Sequence, residues 1–228
     1  MATTVLPHHA ESEPDAPGGI RWVITGALSA WLLLVISLAA CGAYVGPPGK
    51  PPLPTGIGFA APLLLFFASL RLSKSFREFA LSLDLRLIVG MQAWRWAGLG
   101  FLSLYAYKIL PAVFAFPAGL GDMAIGATAP WIILALVRQP GFAASAAFIR
   151  WNVLGILDLI VAVSIGTLST TFATGSPGEV STAAMASLPL VLIPEFLVPF
   201  FLMLHTVALM QSRRVTRPQA HSPGILEY

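Results

Sequence analysis

The chain has 228 residues, of which 57% are hydrophobic and only 10% charged, with a mean hydropathy of +0.81, whereas charged residues make up about a quarter of an ordinary soluble domain. That balance excludes a water-soluble globular protein and points to lipid. The net charge of +3 does not point to nucleic acid, because the basic residues stand beside hydrophobic segments and not in one patch, and a single cysteine excludes an internal disulfide framework.

The first twenty residues are polar and acidic, with Glu11, Glu13 and Asp15 beside the adjacent His8 and His9. They are expected to form a disordered tail, with the His pair not serving as a metal site. Apolar runs of spanning length then follow at residues 22–45, 57–72, 87–110, 117–137, 147–168 and 185–211, the second being the shortest. A basic tail over 213–228 closes the chain. The expected architecture is therefore all-α, a polytopic transmembrane helix bundle of six spans in one domain over 21–212.

The connections alternate in charge. Arg71, Lys74, Arg77 and Arg86 lie in one, Arg138 and Arg150 flank another, and Arg213, Arg214 and Arg217 end the chain, whereas the opposite loops hold only Lys50, with Lys108 just inside the third run. Basic loops stay on the cytoplasmic side, so both termini are predicted cytoplasmic.

At the end of the first run, Leu38, Ala39, Ala40 and Cys41 resemble the lipobox of bacterial lipoproteins, which implies cleavage and lipidation at Cys41. The segment before it is long and acidic with only Arg21 as a basic flank, whereas a signal peptide has a basic start and an apolar core of about 7 to 15 residues. Small residues packing at the outer end of a span are the expected role.

Polar residues inside the runs mark where function would reside, because ionisable groups in hydrocarbon are costly. Gln92 and Arg95 share a helix face in the third run, Arg95 about 12 Å in from its cytoplasmic end. There it either snorkels to an interface marked by Trp94 and Trp96 or turns inward. In the fourth run Gly119, Asp122, Gly126 and Ala129 form a small-residue face for close helix packing, with Asp122 expected to cap a helix that starts near Pro117 and Gly119. In the fifth, Trp151, Gly155, Asp158 and Ala162 make one stripe with a central acid, and Asn152 suits an interhelical hydrogen bond. In the sixth, Pro189, Pro194 and Pro199 surround Glu195. Pro194 and Pro199 free the carbonyls of Leu190 and Glu195, which either gathers oxygens at a broken helix as transporters do around protons and small cations or makes a kinked packing helix whose protonated Glu195 bonds a neighbour. His205, ten residues on, has no second intramembrane histidine with which to hold haem or metal, so a packing role or a proton relay is expected.

By height alone Arg95, Asp158 and Glu195 come together near the midplane, where Arg95 would neutralise one acid and the other would need a proton or a cation. No phosphate loop, dinucleotide fingerprint or hydrolase elbow is present, and no cofactor is expected. The expected partners are the bilayer, a small solute, proton or cation, and a second copy or another membrane protein.

The run from Gln92 to Arg95, the segment from Pro117 to Asp122, the stretch from Trp151 to Asp158 and the proline-rich stretch from Leu188 to His205 resemble an uncharacterised family of small bacterial multipass membrane proteins, over roughly residues 87–210. The resemblance implies the bacterial inner membrane and no particular activity. Three function classes follow from the residues: a proton- or cation-coupled transporter or channel built on Glu195, Asp158 and Arg95; a non-catalytic assembly subunit; and a membrane-embedded enzyme, with Asp122, Asp158 or His205 as its acid or base.

Overall fold

The computed structural model describes residues 18–216; His8, His9 and Arg217 lie outside them. Helices and turns account for the fold, and no strand occurs among the described residues. Helix α1 is Gly18–Ala40, α2 Leu53–Leu72, α3 Lys74–Ser82, α4 Leu85–Gln92, α5 Leu99–Ala106, α6 Ala112–Arg138, α7 Ala146–Thr171 and α8 Val198–Thr216. Among the described residues five helical stretches are long and apolar enough to cross a membrane: Gly19–Ala40, Leu53–Leu72, Ala112–Arg138, Ala146–Thr171 and Ile193–Val215.

Local chemistry sets most boundaries. Ser73 ends α2 and caps α3, its Oγ accepting from the Phe76 N–H at 3.2 Å. Asp84 caps α4 through the Arg86 N–H at 2.8 Å, and Ser145 caps α7 through the Phe148 N–H at 3.2 Å. Such caps replace hydrogen bonds that a helix start lacks. Helix α1 closes with Gly42 in the left-handed region at φ 71°, so that Ala43 N–H reaches the Leu38 carbonyl at 2.9 Å. Helix α5 closes in the same way on Lys108 at φ 57°, Ile109 N–H donating to the Leu104 carbonyl at 2.8 Å.

Two predicted spans differ from continuous helices. The third run is α4, a 3-10 stretch over Ala93–Gly98, and α5. It still links the two ends of the bundle: Gln211 of α8 donates to the carbonyl of Leu83 just before α4 at 2.9 Å, while Phe101 and Leu110 pack with Phe114 and Met185 at the other end. The sixth begins at Ile193, later than expected, because Pro189 and Pro194 interrupt the approach and 182–186 forms a separate 3-10 turn. The freed Leu190 carbonyl is not left open as predicted; it accepts from the Ile193 N–H at 3.0 Å. Residues Ile193–Leu197 then make a π-helical turn, closed by Val198 N–H donating to the Ile193 carbonyl.

The segment Ile193–Val215 is the axis of the bundle, since half of its apolar window is buried against 11–17% for the other four. Its Phe201, Leu202, Leu204 and Val207 pack with Phe66 of α2, Ile88 and Val89 of α4, Ile125 of α6 and Phe148 of α7. Outward-facing Leu33, Leu64, Trp131 and Leu154 stay exposed, as they do on a protein solvated by lipid. Helix α1 is peripheral, touching the π-helical turn and α3, chiefly through Val35, Ala39 and Tyr44 on Val191 and through Trp31 on Phe196 at 4.5 Å. Cys41 is exposed just beyond it.

Candidate functional site

The close packing that forms the site begins with glycines. A Cβ at Gly126 of α6 would overlap the backbone of Arg95 and Trp96, and a Cβ at Gly119 would stand 2.9 Å from the Gly98 carbonyl. The small-residue face of α6 therefore receives the 3-10 stretch backbone to backbone, and Ala129 on the same face is fully buried. A 3-10 stretch turns its side chains by about 120° per residue, which sends Trp94 and Trp96 outward and Arg95 in.

Arg95 does not snorkel; its side chain is completely buried. Its Nε donates to Asp122 at 2.7 Å, Nη2 donates to Asp158, and Nη1 donates to the Gly155 carbonyl at 3.3 Å and to His205 Nε2 at 3.1 Å. Asp122 is therefore not a helix cap as expected: α6 starts at Ala112 behind Pro111, and ten residues in, the carboxylate takes the guanidinium.

The donors fix the state of His205. An arginine Nη can only donate, so His205 Nε2 must accept and the ring proton lies on Nδ1, which donates to Asn152 Oδ1 at 2.9 Å. Asn152 in turn donates to the Phe148 carbonyl at 2.9 Å, which sets the orientation of its amide. His205 is thus neutral, wedged between Arg95 and Asn152, with Trp151 edge-on at 5.5 Å. A Cβ at Gly155 would enter the His205 ring and one at Gly121 would enter the Asp158 carboxylate, so the stripe on α7 and the glycines of α6 shape this chamber together. Gln92 lies a turn away, its Nε2 donating to the Phe201 carbonyl at 3.4 Å and its Oε1 without a partner.

One guanidinium facing two carboxylates leaves one negative charge in excess unless a proton or a cation joins them. Above the cluster, at the end of the bundle away from the arginine-rich loops, lies a cavity of about 100 Å³ with Asp122 in its lining. Thr55, Thr167, Thr170 and Thr182 give it hydroxyls, and Phe101, Leu159 and Val198 give it apolar walls. At about 10–15 Å³ per water, it has room for several.

Glu195 is not in this cluster. It is fully buried, and the π-helical turn aims it at α2, where its carboxyl fills the space that a Cβ at Gly58 would take, with the Tyr44 ring against the same point. Neither carboxyl oxygen makes a hydrogen bond among the described residues, although Thr55 stands close enough to interact. Predicted height placed Glu195 with Arg95 and Asp158; lateral direction separates it from them, and it puts Asp122 and His205 in its place.

A family model described as a domain of unknown function (DUF8737) matches residues 52–213. The chain belongs to that family. The matched region contains the whole Arg95 cluster together with Glu195, Gly58 and Thr55, and excludes α1 and Tyr44. No curated protein and no solved structure matches the chain.

Proposed function

We propose that the protein is a proton-coupled carrier or channel for a small solute in the bacterial inner membrane, with six crossings, the interrupted third among them, and both termini on the cytoplasmic, arginine-rich side. The reading rests on one observation above all: Asp122 both shares Arg95 with Asp158 and lines a cavity at the weakly charged end. A charge in excess that touches a water-sized route is what proton loading needs. The threonines and aromatic rings of the same cavity suit a small amphipathic solute. Interrupted helices beside the site, one 3-10 and one π-helical, resemble the broken helices on which carriers build their sites.

Proteoliposomes loaded with a pH-sensitive dye test it. A potassium-diffusion potential, applied with a panel of small amphipathic solutes outside, should drive proton entry with the wild-type protein and at least one of them, and Asp122→Asn should remove that entry while the protein still inserts and stays monodisperse. Entry no faster than in empty liposomes, or entry unchanged by Asp122→Asn, would overturn the reading. An assembly subunit is the second reading, favoured by the wide apolar faces of α1, α2, α6 and α7. It requires a stoichiometric partner on gentle purification from lipid.

A further inference from the structure

Glu195 raises a question that the Arg95 cluster does not answer, because it is the one fully buried carboxyl among the described residues, and it has no cation and no hydrogen bond of good geometry, with Thr55 as the neighbouring hydroxyl. We infer that Glu195 is a proton-binding site in its own right, its neutral carboxyl seated in a notch at Gly58 of α2 behind the wall of the cavity. This does not depend on the transport reading.

Three features place the carboxyl there. The missing donors of Pro194 and Pro199 allow the π-helical turn, and the extra residue in that turn points Glu195 at α2. Gly58 supplies the space, since any side chain at that position would overlap the carboxyl. Tyr44 covers it from the turn after α1, and the Trp31–Phe196 contact seals the neighbouring side.

The same surroundings decide what binds. From the turn after α1 the interacting titratable group is Tyr44, and from α2 the interacting polar group is Thr55. Arg21 sits in the first turn of α1 and Arg71 in the last turn of α2, sixteen residues beyond Thr55. On α8, His205 is engaged by Arg95 and Asn152, and Arg95 itself is engaged by Asp122 and Asp158. An ionised Glu195 would thus be fully buried without a counter-charge, which is costly. A metal ion needs about six oxygens, and two hydroxyls beside one carboxyl do not supply them. A proton needs one oxygen. Thr55, Tyr44 and Pro194 also line the cavity, so the notch and the cavity share a wall.

The test uses the full chain in lipid with 13C-labelled glutamate carboxyls, which leaves the Asp122 and Asp158 signals apart. Of the six glutamates, Glu11, Glu13, Glu78, Glu179 and Glu227 lie outside the apolar runs. At neutral pH, infrared or solid-state NMR spectra should show one protonated glutamate carboxyl, lost in Glu195→Gln and shifted in Gly58→Ala, which fills the notch. Wild-type spectra in which every glutamate is ionised at neutral pH would overturn the inference, and that measurement needs no variant to fold. A protonated signal that survives Glu195→Gln, or one unmoved by Gly58→Ala, would overturn it as well.

Discussion

The Arg95 chamber and the Gly58 notch solve the same problem in opposite ways. In the chamber, charge is kept and every partner is supplied: four donor contacts leave one guanidinium, two to carboxylates, one to a carbonyl and one to a neutral imidazole. In the notch no counter-charge is supplied, and the space is shaped to the group. A charged network resists loss of any member, whereas a neutral group in a shaped hole resists changes of volume. The two should therefore fail differently under mutation.

The largest difference is expected on removing charge. Arg95→Met leaves two carboxylates buried together and should cost about 3–5 kcal/mol of stability, read from thermal or denaturant unfolding in micelles; a loss under about 1 kcal/mol would mean that water already screens the chamber. Asp158→Asn should cost about 1–3 kcal/mol through a weakened charge-assisted bond. Glu195→Gln, close in shape to a neutral acid, should stay within about 0.5 kcal/mol of wild type at neutral pH.

Glycine substitutions sharpen the contrast next. Gly126→Ala drives a methyl into the backbone of Arg95 and Trp96 and should cost about 1–3 kcal/mol. Gly58→Ala meets two side chains, the Glu195 carboxyl and the Tyr44 ring, and no backbone, and should cost less than Gly126→Ala in the same unfolding assay. Gly100→Ala, with open space around it, should be neutral or gain up to about 1 kcal/mol. If all three behave alike, the close backbone approach of α6 to the 3-10 stretch is not what builds the chamber.

Smaller effects are expected away from the two acid sites. Lys108 holds a left-handed conformation, so Lys108→Gly should raise stability by about 0.5–1 kcal/mol. Glu179 shows a third way to hold an acid, exposed and wrapped by donors: the N–H of Thr174 at 3.0 Å, of Gly175 at 2.7 Å and of Ser176 at 3.3 Å. Those hydrogen bonds, the Thr174 N–H foremost, hold its carboxyl below the usual range. The order they give the loop is complete above the ordinary carboxylate value and is lost as pH falls through the lowered one. The Gly175 amide resonance should follow that titration, and Glu179→Gln should flatten it.

Much of this could be read along the chain, because position on a helix maps to height. The face of Gly119, Asp122, Gly126 and Ala129 and the stripe through Gly155 and Asp158 are sequence patterns, and both lie against neighbours in the fold. Direction around the bundle is what height does not carry. Arg95, Asp158 and Glu195 are expected at one level, yet the partners of Arg95 were settled by a 3-10 stretch that rotates it and by a histidine whose ring needs the absence of a side chain at Gly155. Nothing in the string links Gly58 to Glu195, 137 residues away; the link is made by a π-helical turn that one extra residue creates. The shift of the last helix start to Ile193 had a visible signal in Pro189 and Pro194, which continue a hydrophobic run in composition but not in hydrogen bonding.

The peripheral place of α1 bears on timing. It lies outside the matched family region and holds the bundle through Trp31, Val35, Ala39 and the turn at Tyr44. None of its residues touches the Arg95 guanidinium, so a displacement of α1 would uncover Glu195 and leave that cluster intact. The most enclosed acid thus sits under a cover that the matched family region does not supply, and hydrogen exchange of the amides over residues 31–35 reports how often water gains that side of Glu195.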